Sequence, residues 1–458
     1  MRVLALTLAC AGIAGAANTG AQQATFNKDV LPILQKNCQT CHRPGEVAPM
    51  SFMDYKDTRP WAKAIKASVL TSKMPPWFAD PKYGHFRNER KLSESEKQTL
   101  VNWVDGGALE GDAKDRPVPV AFIDGWSIGK PDIVLEMPQP FEVPASGTIE
   151  YQYIVLPTSF TKDTWVTAAE VRPGNRQVVH HVIAFVRPPG SQWMKDAKPG
   201  VPYVPVVHQR DANGAAIATQ RTAQPGGDTP RGNDPQRGGG ERGSVVGNEN
   251  LTGYAPGLQP QEFTLGGAAK LIPAGSDIVF QLHYTANGKP ATDQTKIGLV
   301  LAKETPQYRF LTMPAATQQF AIPPGDPNYE VHSSVTINEP VQLVWLMPHM
   351  HLRGKDFVFR VVYPTGESET LLNVPKFDFN WQLGYDEAKP LLLPKGTRIE
   401  CTAHFDNSAN NPANPNPNVT VKWGDQSWEE MMIGWFAVIV PADSNPRSII
   451  GRSARSGD

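Results

Sequence analysis

From about residue 120 to residue 445 the chain is a succession of short β-rich runs broken by proline and glycine: Ile149 to Val155, Val178 to Val186, Asp277 to Tyr284, Val341 to Leu346, Phe357 to Val362 and Met432 to Val440. Punctuation at this spacing predicts short strands stacked into β-sandwiches and excludes an all-helical fold. The 43 prolines among 458 residues, about twice the usual share, point the same way. At about 150 residues per domain the length corresponds to roughly three domains, and 40% hydrophobic residues suffice to give each a core. Lysine and arginine (44) balance aspartate and glutamate (45), so no basic field is present for nucleic acid or an anionic membrane.

The N-terminus follows a different rule. Arg2, a mostly apolar run from Val3 to Ile13 and small residues from Ala14 to Ala17 form the pattern of a secretory signal peptide over residues 1–21. The run is too short to cross a bilayer, which takes about 20 residues. A periplasmic or secreted protein without a membrane span is expected, a lipid anchor on Cys10 being the competing reading. Two further stretches read as unstructured. Residues 209–250 are rich in Gly, Arg, Asp, Gln and Pro, the composition of a disordered surface insertion, and residues 446–458 read as a flexible tail.

Removal of the signal leaves three cysteines, two of them in Cys38-Gln39-Thr40-Cys41-His42. C-x-x-C-H is the signature of covalent c-type haem attachment: two thiols one short turn apart add to the haem vinyl groups, and the next residue offers an imidazole to the iron. Cys38 and Cys41 are therefore the expected anchors of one haem c, with His42 the proximal ligand. A redox dithiol or half a zinc site are the alternatives, but no second cysteine pair exists to complete zinc. Residues 24–115 fit a small helical cytochrome domain, with helices expected over Asn27 to Asn37, over Thr58 to Ser72, and after the Ser93-Glu94-Ser95-Glu96 capping box, ending at Gly106-Gly107. Met74, followed by Pro75 and Pro76 ahead of the last helix, resembles the distal-ligand loop of class I c-type cytochromes and is the expected sixth ligand. Met50, Met53 and His85 compete for that role.

The β region carries the remaining chemistry. In His349-Met350-His351 the two imidazoles stand at i and i+2, on one side of a strand, where they chelate one metal. His180 and His181 are adjacent and should point to opposite faces, so both reach one ion only through a backbone bulge or by using different ring nitrogens. Taken singly, either pair reads more simply as one histidine inside and one outside. His85, His208, His332 and His404 read as surface or structural.

The order of the set is more specific than its parts. His180-His181, then His283-Tyr284, then His349-Met350-His351-Leu352-Arg353-Gly354, then Glu429-Glu430-Met431 is similar to the copper type II ascorbate-dependent monooxygenases, the family of peptidylglycine α-hydroxylating and dopamine β-monooxygenases. The resemblance covers roughly residues 125–445. It implies a mainly β fold of two consecutive jelly-roll-like sandwiches, over 120–302 and 303–445, and two coppers. His180, His181 and His283 match the electron-transfer copper site; His349, His351 and Met431 match the oxygen-binding copper and the catalytic centre. Imidazole suits both copper oxidation states and a thioether favours Cu(I).

Three departures are visible. Cys401 lacks the family's partner cysteine, whose place is taken by Met432, and is expected as a free thiol. Met347 and Trp435 replace residues with which the peptide-processing members grip a carboxylate, so peptidylglycine is a poor substrate. The named members also carry no cytochrome domain. The expected activity is thus hydroxylation of a C–H bond of a small molecule with O2, electrons from a periplasmic donor being relayed through the haem. The competing class is a non-catalytic haem and copper carrier, for which Cys401, His404 and Met431 superficially offer blue-copper ligands.

Overall fold

A computed structural model describes residues 23–122, 125–205 and 249–452. The signal peptide with Cys10, His208, the insertion up to residue 248 and residues 453–458 lie outside the described residues. The chain is mainly β and divides into two compact units. The first comprises residues up to Pro44, Ala48–Pro75 and Leu92–Val120; the second comprises Gly45–Val47, Pro76–Lys91 and everything from Ala121.

The first unit is helical. Phe26–Val30 forms one wide turn that runs into the helix Leu31–Asn37. Pro32 sits in the first turn of that helix, where its missing N–H leaves no hydrogen bond unmade. Arg59–Trp61 and Ala62–Leu70 make a second helical stretch, and Glu94–Asp105 the third. Ser93 and Glu96 form the reciprocal capping box, and Gly106 and Gly107, the latter at φ +92°, end the helix. Phe26, Leu34, Leu100 and Trp103 are fully buried between these elements, and the Trp103 indole donates to the Leu109 carbonyl at 2.9 Å.

The second unit holds both sandwiches, and they are not separate domains. Gln152–Pro157, Asp277–Tyr284, Val179–Arg187 and Glu249–Tyr254 form a four-stranded antiparallel sheet. Ser368–Val374, Gly354–Val362, Arg398–Phe405, Tyr329–Ile337 and Ile450–Arg452 form a five-stranded one. A nine-stranded sheet continues through both halves, because Tyr308 and Arg309 pair in parallel with Ala268 and Ala269. The expected division at 302/303 therefore falls inside one structure. The reason is local: the strand Tyr308–Ala316 that opens the second sandwich extends the sheet that Ala268–Ile272 closes in the first. Val166, Phe280, Leu282 and Ile297 lie in the core of the first half, and Leu343, Phe357, Phe359 and Ile399 in that of the second.

Three other boundaries need correction. Residues 76–91, expected within the cytochrome domain, belong to the sandwich unit: Trp77 and Phe86 pack on Tyr385 at 4.9 and 5.4 Å, and the Asp80 and Arg87 amides bond the carbonyls of Asn373 and Asp386. Residues 446–452, expected in the tail, form the helix Pro446–Ile449 and the strand Ile450–Arg452, which pairs with Val335 to Ile337. Glu249 and Asn250, expected in the insertion, open a strand.

Candidate metal centres

The strand Val179–Arg187 is buried along nearly its whole length, as expected for VHHVIAFVR between neighbouring strands on both sides. Its pairing with Asp277–Tyr284 sets Val179 opposite Tyr284 but His181 opposite His283, so one residue, His180, is extra. This bulge is the condition under which adjacent histidines share one ion. His180, His181 and His283 offer ring nitrogens that all lie within 4.8 Å of one another. The Nδ1 atoms of His180 and His181 stand 3.2 Å apart, and Nε2 of His180 and Nδ1 of His283 are buried without a hydrogen-bond partner. Burial holds His180 down to about 4; burial, with His180 beside it, holds His283 down to about 3. His181 is also held well below its usual value, chiefly by burial and then by its histidine neighbours. The triad is thus neutral at physiological pH, the form in which imidazole binds a metal. Tyr151 packs beside it, its ring 4.7 Å from that of His283 and edge-on to His181.

The second set forms where the strand Val341–His349 ends. His349 is its last residue, paired with Ile433, and His351 follows two residues later, just outside the strand rather than on it. Alternation persists through the break: Met350 enters the core of the second half, while the His349 and His351 rings meet at 5.3 Å. His349 Nδ1 donates to Gln382 Oε1 at 3.0 Å and His351 Nδ1 to the Glu429 carbonyl at 3.2 Å. These partners hold both rings through Nδ1 and so orient them. Burial lowers His349 to about 4, against the Gln382 hydrogen bond, and holds His351 well below its usual value.

Met431 is 3% exposed, next to Glu430, whose carboxylate accepts the His351 and Arg353 amides at 2.8 and 2.6 Å. Arg353, 1% exposed, donates to Asn407 and to the Trp428 carbonyl. The basic-glycine turn and the acidic pair are therefore one clamp that holds the Met431 segment to the His351 segment. Gly354 is required there, since a Cβ on it would stand 2.7 Å from Met350 Cβ.

The two sets adjoin. Phe379 stacks on His180 at 4.8 Å with the planes 15° apart, and its ring centroid is 6.1 Å from that of His351. Ser427 Oγ lies 3.4 Å from both His283 Nε2 and the Tyr151 hydroxyl. Phe379, Gln382, Ser427 and Tyr151 carry no metal-binding signature in sequence, and only the register of strands and loops brings them in.

In the helical unit, Cys38 closes the helix Leu31–Asn37, and the Cys41 and His42 amides bond its carbonyl at 3.1 and 2.9 Å. Both thiols are half-buried, and the His42 ring stacks on Phe52 at 4.2 Å. His42 Nδ1 is buried and unpaired, and burial lowers the imidazole, against the Met50 carbonyl beside it. Burial, with Cys41 and Glu96 nearby, pushes the Cys38 thiol up to about 12, the opposite of a reactive redox dithiol. The donor set fits a haem held by two thioethers and one neutral imidazole. Met74 stands half-buried after the helix Ala62–Leu70, its amide on the Ser68 carbonyl. Of its competitors, Met50 packs on the helical core beside His42, Met53 is half-buried, and His85 belongs to the sandwich unit, where its carbonyl accepts the Ala388 amide.

Among the described residues, Cys401, His332 and His404 do not form a blue-copper set. Cys401 is a free, buried thiol in the core of the second half. His404 is bound through both ring nitrogens to Asp356 and Glu330, and His332 bonds Glu330 and Thr402.

No family model and no curated protein matches the chain. Among solved structures it is similar to a chain of infectious bursal disease virus Gx strain (10% identity, 69% of this chain and 74% of that one, TM-score 0.18) and to the VP2 subviral particle of the same virus (11%, 73% and 79%, 0.17). It is also similar to a chain of the Sputnik virophage (9%, 82% and 98%, 0.15). Likeness of this degree assigns no function. Among the described residues no helix is long and apolar enough to cross a membrane.

Proposed function

We propose that the protein is an exported copper-dependent monooxygenase that hydroxylates a C–H bond of a small molecule with O2, single electrons from a periplasmic donor entering through a haem held at Cys38, Cys41 and His42. The observation that carries this reading is the convergence of five imidazoles, His180, His181, His283, His349 and His351, with the segment that carries Met431 held to the His351 segment through Glu430. Three imidazoles would hold one copper and two imidazoles with a thioether the other, leaving room at each for an exogenous ligand. Copper so held supplies one-electron chemistry with dioxygen, and haem supplies single electrons.

The chain's own part is geometry and exclusion. Gln382 and the Glu429 carbonyl orient the His349 and His351 rings, Glu430 and Arg353 fix the loop that carries Met431, and Phe379 fills the space between the two sets. No side chain is assigned as general acid or base. The test follows reoxidation of the reduced haem in the intact protein under O2, with and without copper. Faster reoxidation with copper loaded is expected, and equal rates would sink the coupling of haem to copper.

A further inference from the structure

A cleft partly open to solvent lies against both histidine sets and has His181 and His349 in its wall. Trp345, Met347 and Trp435 form one side; Met347 and Trp435 stand opposite each other on paired strands, and Met347 precedes His349 by two residues, on the same face of its strand. The other side is Ile183, Tyr254 and Leu258. Among the described residues the wall contains no Asp, Glu, Lys or Arg; its polar groups come from Asn250, Gln261, Thr312 and Gln382, the two histidines, the Tyr254 hydroxyl and the indole N–H groups of Trp345 and Trp435. The cation behind it is occupied: the Lys270 ammonium bonds the Asn250 carbonyl and, at 2.8 Å, Thr312 Oγ1, over the Phe263 ring at 5.1 Å.

We infer that this cleft is the substrate site and that it takes a neutral, aromatic or otherwise apolar small molecule and discriminates against carboxylates and ammonium ions. This rests on the monooxygenase reading above. An ion entering the cleft gives up its hydration and, among the described residues of the wall, meets no side chain of opposite charge, whereas a flat neutral ring keeps its apolar contact with Trp345 and Trp435. The few amides and hydroxyls orient such a molecule without demanding charge.

The test is calorimetric titration of the full-length protein, haem- and copper-loaded and kept anaerobic and reduced so that the probes do not coordinate Cu(II). Three probes of matched size are used: 2-phenylacetamide, phenylacetate and 2-phenylethylammonium. The amide is expected to bind at least about 10-fold more tightly than either ion. Met347→Arg should raise phenylacetate affinity at least about 10-fold by placing a cation in the wall, while Met347→Leu leaves the order unchanged. An ion that binds as tightly as the amide, or the absence of binding by all three, overturns the inference; the wild-type comparison stands if Met347→Arg does not fold. Copper content measured on the same sample separates the two failures: absence of copper removes the monooxygenase reading, and wrong selectivity with copper present removes only the substrate class.

Discussion

Replacing Gln382 by leucine should weaken metal binding at one histidine set and spare the other. Gln382 is 3% exposed and makes two hydrogen bonds of 3.0 Å, accepting from His349 Nδ1 and donating to the Phe379 carbonyl. Leucine fills similar volume but leaves both partners unpaired, at about 1–3 kcal/mol each, so global stability should fall by about 2–6 kcal/mol, toward the lower end because the Phe379 carbonyl is only part-buried. The His349 ring also loses the acceptor that fixes its tautomer. Loss of such a partner weakens metal affinity by about 10- to 100-fold, or about 1.4–2.7 kcal/mol. Competitive Cu(I) titration against a chromogenic chelator should show this loss in the His349/His351/Met431 phase alone, with the His180/His181/His283 phase unchanged. Gln382→Glu keeps an acceptor and should recover most of the affinity. Equal weakening of both phases, or none in the first, would refute the assignment of Gln382 as the group that orients His349.

Other outcomes follow from the same geometry. His283→Ala removes one of three imidazoles from the bulged site, so copper per chain should fall from two to one; retention of both ions contradicts the triad. Replacing Cys38 and Cys41 together by serine should abolish haem-dependent peroxidase staining of the denatured chain, and persistent staining would show that attachment lies elsewhere. Lys270, fully buried, is lowered to about 8 by burial, while in the unfolded chain it titrates near 10.5. Below pH 8 both states are protonated and the burial cost is complete; between about 8 and 10.5 the unfolded state binds more protons, so stability should rise by up to about 3 kcal/mol. Urea midpoints at pH 7.5 and 10 check the sign, and Lys270→Met should remove this component of the change.

The parts of the fold that depend on local pattern were legible in sequence. Ser93 and Glu96 announce their helix, Gly106 and Gly107 end it, and the run from Phe357 to Val362, read as a strand, alternates as one, burying Phe357, Phe359 and Val361. The histidine order grouped His180 and His181 with His283, and His349 with His351, and the fold brings the rings of each group together. What remained hidden depends on register. Alternation alone sends His180 and His181 to opposite faces, and only the one-residue shift against Tyr284 and His283 brings them together. Phe379 and Gln382 lie in a loop with no periodicity, and their position follows from the chain between the strands Ser368–Val374 and Tyr385–Leu393. Glu430 was visible as half of an acidic pair, but its role as acceptor for two backbone amides follows from the fold and not from its neighbours in sequence. Residues 76–91 went to the wrong unit because Trp77 and Phe86 serve a helical or a β core equally well by composition.

The central claim is that the two histidine sets hold copper in the same chain that carries a covalent haem. The most direct test is copper and haem per chain, with an electron paramagnetic resonance spectrum of the oxidised form, on full-length protein matured in a bacterial periplasm. Two type 2 coppers and one haem are predicted. One haem with no tightly held copper would contradict the account and leave the sandwiches without their proposed chemistry.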